Sequence, residues 1–275
     1  MADDRSNPTG AALGAWLRKE GMDDAHKYTH GAALVVAGPM GAGGAARLAA
    51  RAALRVGTGI VTIGPPSAAL IEHLGPPDAL MRRAIAEAKD FSAAIADRRI
   101  SALCIGPGCS IARSEALLPV VLGADIPAVL DADALTALSH AKPWPLRDGL
   151  VLTPHHGEFA RLFPDLKDRG DQMAALTAAR RSNAVVVLKG PQTVVAAPDG
   201  QTHVNDARDV PWLATAGSGD VLAGIVTGLL ARGMSPLRAA IIATALHTRA
   251  ARTHGPGLIA DDLPEALPAV LRDWR

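Results

Sequence analysis

Aromatic side chains and charge imbalance are both largely missing from this chain. Aromatic residues make up 3% of its 275 residues, and 28 Lys and Arg residues face 27 Asp and Glu residues. A balanced charge without basic patches argues against a nucleic acid partner, and the absence of charge blocks argues against an interaction tail. The abundant alanine and glycine instead suit helices packed closely on a sheet. A chain of this length can bury a large core.

Cysteine and long apolar runs are also scarce, and each absence argues against a class of protein. Cys104 and Cys109 are the only cysteines, and without a second pair they do not indicate a metal site. Cys104 lies in an apolar run and is expected to be a buried structural thiol. No apolar run approaches the ~20 residues of a membrane span. The acidic, polar start is unlike a signal peptide, so we expect a cytoplasmic protein with no membrane contact.

Short apolar runs alternate with helical patterns along most of the chain. This alternation predicts an α/β fold with a central, mostly parallel sheet covered on both faces. We divide the chain into an N-terminal lead-in, residues 1–27, with a short helix at 11–19, and one domain, residues 28–275. Strands are predicted at 33–37, 60–63, 102–105, 128–130, 150–153 and 184–188, a hairpin from 193–197 and 202–205, mixed helical character at 78–97, and helices at 45–56, 113–122, 171–182, 236–254 and 261–273.

A glycine-rich loop that runs into a helix, residues 214–231, is the most informative stretch. Gly217 and Gly219 give the loop unusual backbone freedom, and bare N–H groups at a helix N-terminus favour an anion. Asp220 stands in the first turn of this helix. A carboxylate there can cap the helix, or it can take a proton from a hydroxyl while phosphate oxygens bind the neighbouring N–H groups. These residues alone do not decide between the two roles.

Five other strand ends carry polar or glycine-rich residues, and parallel strands bring such ends to one edge of a sheet. Each end also has a structural interpretation. Asp131 and Asp133 could hold a metal or a water near phosphates, but Asp133 is favoured as a helix cap. Lys189 could bind a phosphate or simply meet solvent, and His155 could contact a substrate, although a lone histidine is more often structural. His247 in an Ala-rich helix is interpreted as packing. The convergence indicates a site more strongly than any one end, and the ends are 38–44, 106–108, 131–133, 155–158 and 189–193.

The glycine-rich turn at 38–44 matches no complete nucleotide-binding fingerprint. Ala46 stands where G-x-G-x-x-G requires its third glycine, and Gly44 replaces the lysine of a P-loop. A tight strand-to-helix turn is therefore the favoured interpretation.

Six motifs follow one another in a recognisable order. They are GAARLAARAALRVGTGIVT (44–62), IGPG (105–108), VLDADAL (129–135), LTPHHGE (152–158), VVLKGPQTVVAAPDG (186–200) and LATAGSGDVLAGIVTGLLARG (213–233). Together they resemble the ADP- or ATP-dependent NAD(P)H-hydrate dehydratases, the carbohydrate-kinase-like repair enzymes of the ribokinase superfamily. The resemblance extends from Tyr28 to about Leu267. It implies a ribokinase-like α/β/α sandwich with a central, mostly parallel sheet.

The resemblance implies a reaction and roles for individual residues. ADP or ATP would phosphorylate the ring hydroxyl of the S-epimer of NAD(P)H hydrate, and phosphate would then leave to restore NAD(P)H. Asp220 would take the hydroxyl proton, while Gly217 and Gly219 would form an anion hole for the transferred phosphoryl group. Mg2+ is expected with the nucleotide, and its ligands are not assigned. The substrate-binding positions would be Ala45, Gly108, His155 and Asp220, and the nucleotide-binding positions Lys189, Gly190, Pro191, Gln192, Thr193 and Gly219.

The chain departs from the family pattern at three places. Ala216 replaces the first glycine of GGSGD, residues 206–212 lack the usual Asn-Pro-Gly, and the HPGE pattern appears as HHGE at 155–158. The loop glycines and Asp220 remain, so the departures bear on local geometry more than on the reaction. The often fused epimerase domain is not recognised ahead of the match, so a separate epimerase chain is expected. The family also suggests a homo-oligomer, with a tetramer favoured.

Two other functions remain open from the sequence. A small-molecule kinase of the same superfamily, such as a hydroxymethylpyrimidine- or hydroxyethylthiazole-type vitamin kinase, would use the same loop and aspartate. Residues 152–158 and 189–193 together favour the dehydratase. A non-catalytic nucleotide-binding protein is the other possibility, and the intact Asp220 argues against it.

Overall fold

Every strand predicted from an apolar run is present in the computed structural model, which describes residues 10–20, 25–141 and 146–274. The strands are β1 (Ala32–Val36), β2 (Ile60–Gly64), β3 (Met81–Arg82), β4 (Ala102–Ile105), β5 (Ala128–Leu130), β6 (Leu150–Leu152), β7 (Val185–Leu188), β8 (Gln192–Ala196) and β9 (Thr202–Asp206). The α-helices are α1 (Gly10–Arg18), α2 (Gly43–Arg55), α3 (Ala88–Ile95), α4 (Ile111–Gly123), α5 (Ala132–His140), α6 (His156–Leu162), α7 (Asp171–Ser182), α8 (Ser218–Ala231), α9 (Pro236–His254) and α10 (Asp262–Arg272). Shorter 3-10 helices span Lys27–His30, Ser67–His73, Pro164–Leu166 and Pro211–Leu213.

The strands form one sheet in the order β3-β2-β1-β4-β5-β6-β7-β8-β9. The first seven strands in this order are parallel, and β8 and β9 are antiparallel additions. The chain places β2 and β3 on one side of β1 and then returns to place β4 on the other side. Such a switch point leaves a crevice at the carboxyl ends of the strands, where ligands bind in open α/β sheets.

Helices cover both faces of the sheet and complete the predicted α/β/α sandwich. Side chains alternate along each strand, so Val35 and Cys104 face one layer while Leu34 and Leu103 face the other. The first layer contains α1, α2, α8, α9 and α10, and the second contains α3 to α7. Cys104 is completely buried, which confirms its prediction as a structural thiol. Among the described residues, no helix is both long enough and apolar enough to cross a membrane.

Helix α8 lies close to α2, and a glycine makes this distance possible. A Cβ atom at Gly224 would lie 2.1 Å from the carbonyl oxygen of Ala49 in α2. Real Cβ atoms do not approach a backbone oxygen so closely, so any side chain at this position would force the helices apart. The contact packs α8 directly against the helix that follows β1, and the N-cap Gly217 lies beside Leu48 of that helix.

The prediction of helical character through 78–97 is wrong in its first half. Met81 and Arg82 pair with Thr62 and Ile63 as a short parallel edge strand, and the helix begins only at Ala88. Residues 81–82 form a strand because they pair with the edge of β2. A local sequence pattern carries no information about such a distant partner.

The helix predicted in the lead-in is confirmed as α1. Leu13 and Leu17 are buried in the same core as α8 to α10, and Arg18 donates to the carbonyl oxygen of Trp274 at 2.9 Å. Residues 1–9 and 21–24 of the lead-in lie outside the described residues. The boundary at residue 28 stays a prediction.

Candidate active site

The chemically unusual segments meet at one edge of the sheet, as their positions after parallel strands predict. Strands β1, β4, β5, β6 and β7 are successive neighbours and run parallel, so their carboxyl ends point the same way. The N-terminus of α8 reaches this edge too. A Cβ atom at Gly219 would lie 3.2 Å from the Nζ atom of Lys189, which follows β7. The predicted convergence is confirmed.

Asp220 does not cap α8. The N-cap residue is Gly217, whose φ of +89° lies in the left-handed region, and no side chain caps the helix there. Asp220 is three residues further on, and its carboxylate forms no hydrogen bond with any other residue that the structure describes. The capping interpretation therefore fails, and the carboxylate is available for chemistry.

The environment of Asp220 favours the protonated form of its carboxyl group. Burial, followed by the charge of Asp131, raises the pKa of Asp220 to about 7, while Lys189 acts in the opposite direction. Glu158 and Asp133 add smaller contributions that raise the pKa. A general base works best when its pKa lies near the operating pH, because it is then both available and strong.

Lys189 is tied to Asp131 rather than meeting bulk solvent. Its Nζ atom lies 2.6 Å from Oδ1 of Asp131, and the two side chains are only 17% and 2% exposed. Burial disfavours the ammonium, but the carboxylates of Asp131, Glu158 and Asp220 outweigh it and raise the pKa of Lys189. A charged lysine is therefore held at the N-terminus of α8, beside Gly219. This arrangement can bind a phosphate group.

A cavity of about 590 Å³ opens beside Lys189. Its walls come from the ends of β6 and β7, strands β8 and β9, the loop before α8, and one face of α9. Of the five predicted nucleotide-binding positions after β7, Lys189, Gly190, Pro191 and Thr193 line it, and so does Gly219. This volume is in the range of small-molecule sites in proteins.

Gln192 does not line the cavity. Its side-chain amide donates to Asp206 at 3.4 Å, whereas the next residue, Thr193, is buried and donates to the Gly190 carbonyl at 3.0 Å. Successive residues of a strand point to opposite faces, which explains the difference. Gln192 is thus the predicted nucleotide-binding position that the structure does not place in the cavity wall.

The sequence left open whether His155 is structural or belongs to the site, and the structure gives it both roles. Its Nδ1 atom accepts from the N–H groups of Gly157 at 2.9 Å and Glu158 at 3.4 Å, and so caps α6. It also pairs with Lys189 in a parallel bridge and lines the cavity. The structure thus brings His155 to the predicted nucleotide residues.

The other two predicted substrate positions lie together at the switch point. A Cβ atom at Gly108, which follows β4, would lie 3.3 Å from the Cβ atom of Ala45 in α2. Asp133 accepts from the nearby backbone N–H of Ser110 at 2.9 Å. The favoured interpretation of Asp133 as a helix cap is wrong, because Asp131 takes the N-cap position of α5 and Asp133 binds the neighbouring loop instead.

His247 contacts the site, which its interpretation as packing missed. It is buried as expected, but its Nε2 atom lies 3.0 Å from the carbonyl oxygen of Ser218, which therefore accepts from an Nε2–H group. Burial lowers the pKa of His247 to about 4, so the ring is neutral near neutral pH. Thr244, His247 and Thr248 share one helical face, and this polar spacing in an Ala-rich helix was the available signal.

The chain is similar in sequence to known proteins. Residues 33–268 match the sequence model of a family described as NAD(P)H-hydrate dehydratase. The ADP-dependent (S)-NAD(P)H-hydrate dehydratase of Neisseria meningitidis is 38% identical over 251 residues, which cover 85% of this chain and 80% of that protein. The bifunctional NAD(P)H-hydrate repair enzyme of Thermosynechococcus vestitus is 40% identical over 238 residues, covering 82% of this chain and 46% of that enzyme. This chain spans about half the length of the curated bifunctional relatives.

Solved structures agree with the sequence comparisons. The ADP/ATP-dependent NAD(P)H-hydrate dehydratase from Bacillus subtilis, co-crystallised with ATP and Mg2+, superposes with a TM-score of 0.80 at 30% identity. The match covers 95% of this chain and 97% of that one. A ribokinase-like superfamily protein from Enterococcus faecalis gives a TM-score of 0.80 at 22% identity, covering 91% and 89% of the two chains, and supports the fold alone. The resemblance and the ribokinase-like fold predicted from sequence are confirmed.

Proposed function

Because the chain belongs to the NAD(P)H-hydrate dehydratase family, we propose that it catalyses the ADP- or ATP-dependent dehydration of the S-epimer of NAD(P)H hydrate. The observation that carries this proposal is Asp220. Its carboxylate forms no hydrogen bond with another described residue, has a pKa of about 7, and lies at a helix N-terminus beside a buried lysine. That combination suits a base that activates a hydroxyl next to a phosphoryl group.

The first step is phosphoryl transfer to the ring hydroxyl. Asp220 takes the hydroxyl proton, and the oxygen forms a bond to the terminal phosphorus of the nucleotide while the bond to the leaving phosphate oxygen breaks. Backbone N–H groups around Gly217 and Gly219 stabilise the charge on the transferred group. Lys189 holds the nucleotide phosphates, with Gly190 and Thr193 beside it.

The second step is elimination from the phosphorylated ring. The carbon–oxygen bond breaks, its electron pair leaves with phosphate, and the adjacent ring carbon loses a proton to form the double bond. Phosphate is a far better leaving group than hydroxide, which is the reason a nucleotide is consumed. We assign Ala45 and Gly108 to the substrate side, because they meet at the switch point of the sheet. His155 would contact the substrate from the cavity side.

Mg2+ is expected to arrive with the nucleotide. Among the described residues, no group of three His, Cys, Asp or Glu side chains is arranged to hold a metal ion. Mg2+ commonly keeps several waters and is bound through substrate phosphates and one or two carboxylates. Asp131 and Asp133 lie at the appropriate edge and would meet its water shell. The ion would neutralise part of the phosphate charge.

The direct test follows the near-ultraviolet absorbance of reduced nicotinamide. Purified protein is mixed with hydrated NADH, Mg2+ and either ADP or ATP, with nucleotide omitted from the control. We expect the absorbance to rise only with nucleotide, and the faster reaction identifies the preferred phosphate donor. No rise with either nucleotide, from folded protein, would contradict the dehydratase assignment.

The vitamin-kinase alternative predicts a different product. Such an enzyme would release a stable phosphorylated substrate, whereas the dehydratase releases free phosphate. The homologues named above support the dehydratase over the kinase. Phosphate release in step with nicotinamide formation would separate the two.

Three further expectations accompany the proposal. They are a homo-oligomer, with a tetramer favoured, a separate epimerase chain, and a cytoplasmic location. Size measurement in solution tests the first, and addition of the R-epimer with and without an epimerase tests the second.

A further inference from the structure

We propose that Asn205 reads position 6 of the purine base, so that the cavity accepts a 6-aminopurine nucleotide and rejects a 6-oxopurine one. The inference rests on the proposed function only in taking this cavity as the nucleotide site. It identifies a specificity-determining side chain outside the motifs that mark the family resemblance.

The cavity has one end suited to phosphate and another suited to a base. Lys189 and the N-terminus of α8 mark the phosphate end, because the ammonium and the N–H groups converge there. Val210, Pro211 and Leu213 supply apolar wall beyond it. An apolar lining with a few polar groups is typical of small-molecule sites in proteins, and it suits the faces of a purine base.

Asn205 stands on strand β9, directly opposite Thr193 in the antiparallel ladder. Residues opposite one another in such a ladder share a face of the sheet, and both line the cavity. The side chain therefore faces the same space as the predicted nucleotide segment, one strand further from Lys189.

The Asn205 amide is oriented by helix α9. Its Nδ2 atom donates to Oγ1 of Thr248 at 2.8 Å, and Thr248 is only 2% exposed. The Oδ1 atom accepts no hydrogen bond from any residue in the described part of the chain. A fixed donor on one side leaves an acceptor on the other, and this acceptor is available to the cavity.

The neighbouring polar side chains on α9 already have partners. The Thr244 hydroxyl donates to the Ile241 carbonyl at 2.8 Å, and His247 holds the Ser218 carbonyl. Asn205 thus presents an oriented acceptor to the cavity. A 6-amino group donates to such an acceptor, whereas a 6-oxo group places a second acceptor against it. A buried polar mismatch of this kind disfavours binding strongly.

The test compares ADP with inosine diphosphate, IDP, whose base carries the 6-oxo group. Calorimetric titration of the intact protein in Mg2+ gives the dissociation constant of each, without hydrated substrate. We expect ADP to bind at least about tenfold more tightly than IDP, from the scale of one mismatched buried hydrogen bond. Asn205→Leu should reduce this ratio to about twofold or less.

Two further variants separate base reading from a structural role. His203→Ala changes an exposed residue on the same strand, outside the cavity wall, and should keep the wild-type ratio. Thr248→Val removes the group that orients Asn205 and should give an intermediate ratio. If Asn205→Leu does not fold, Thr248→Val decides, since an unchanged ratio there would overturn the proposal.

The outcomes also separate this inference from the proposed function. A wild-type ratio near one, or an Asn205→Leu ratio equal to wild type, overturns the role of Asn205 even if hydrated NADH is repaired. A ratio that depends on Asn205, in a protein that does not repair hydrated NADH, supports base reading while the proposed function fails.

Discussion

Asp131 and Asp220 stand at the N-terminal ends of two helices on the same edge of the sheet, yet they differ in their partners. Asp131 occupies the N-cap position of α5 and Asp220 the first turn of α8, and neither side chain caps its helix. Asp131 is paired with Lys189 at 2.6 Å. Asp220 forms no hydrogen bond or ion pair within the described part of the chain, and its pKa rises to about 7.

The difference shows how one lysine, by pairing with only one of two nearby carboxylates, gives them different properties. A buried carboxylate with a close cation holds that cation in place through the ion pair. A buried carboxylate without one has a raised pKa and can exchange protons near neutral pH. The charge of Asp131 also helps to raise the pKa of Asp220.

Removing the unpaired carboxylate should have the largest effect. Asp220→Asn is expected to lower kcat at least about 100-fold, because the hydroxyl loses its base, while ADP affinity stays close to wild type. Steady-state kinetics and calorimetry measure the two quantities. Asp148→Asn, an exposed residue just before β6 and therefore at the opposite edge of the sheet, is the matched control. A kcat for Asp220→Asn within about threefold of wild type would eliminate the assignment of the base.

Removing the cation should weaken nucleotide binding. Lys189→Met is expected to raise the dissociation constant of ADP at least about tenfold, because a charged phosphate contact is lost. It should also lower the unfolding temperature, since Asp131 is left buried without a partner. The double variant Asp131→Asn/Lys189→Met should recover stability but not affinity. Recovery of both would show that Lys189 acts on the nucleotide only through the fold.

The pH at which kcat rises should shift in one direction when Asp131 is neutralised and in the other direction when Lys189 is neutralised. A base must be deprotonated to act, so wild-type kcat is expected to rise with pH through about 7. Asp131→Asn removes a negative neighbour and should move this limb about one unit lower, while Lys189→Met removes a positive neighbour and should move it about one unit higher. Measurements of kcat at saturating nucleotide across pH test both, and shifts in the same direction would contradict this electrostatic account.

The smallest expected effect is on stability. The pKa of Asp220 is raised in the folded protein, so its contribution favours folding fully at pH values below its unfolded pKa of about 4 and is lost as the pH rises through about 7. Asp220→Asn should therefore unfold a few degrees above wild type at alkaline pH, and the gain should disappear towards pH 4. Thermal unfolding followed by circular dichroism measures this difference. A constant gain at every pH would indicate a packing effect instead.

The sequence by itself determined every strand except β3, the mostly parallel arrangement of the sheet and the edge on which the site lies. Apolar runs of four and three residues at β4 and β5 coincide with their predicted bounds, because buried strands must be continuously apolar. The convergence of Lys189, His155 and Asp131 followed from parallel strand ends. The loop motif placed Gly217, Gly219 and Asp220 together because they are neighbours in the chain.

Only the tertiary structure decided what each polar group at that edge does. Lys189 and Asp131 are 58 positions apart, and His247 and Ser218 are 29 positions apart, so no local pattern reports either contact. The pairing with Lys189 separates Asp131 from Asp220, and the contact of β9 with α9 orients Asn205. A local pattern reports which residues are apolar and how they repeat. The pKa and orientation of a buried polar group depend on charges and partners delivered by distant segments, which exist only once the sheet and its two helical layers are assembled.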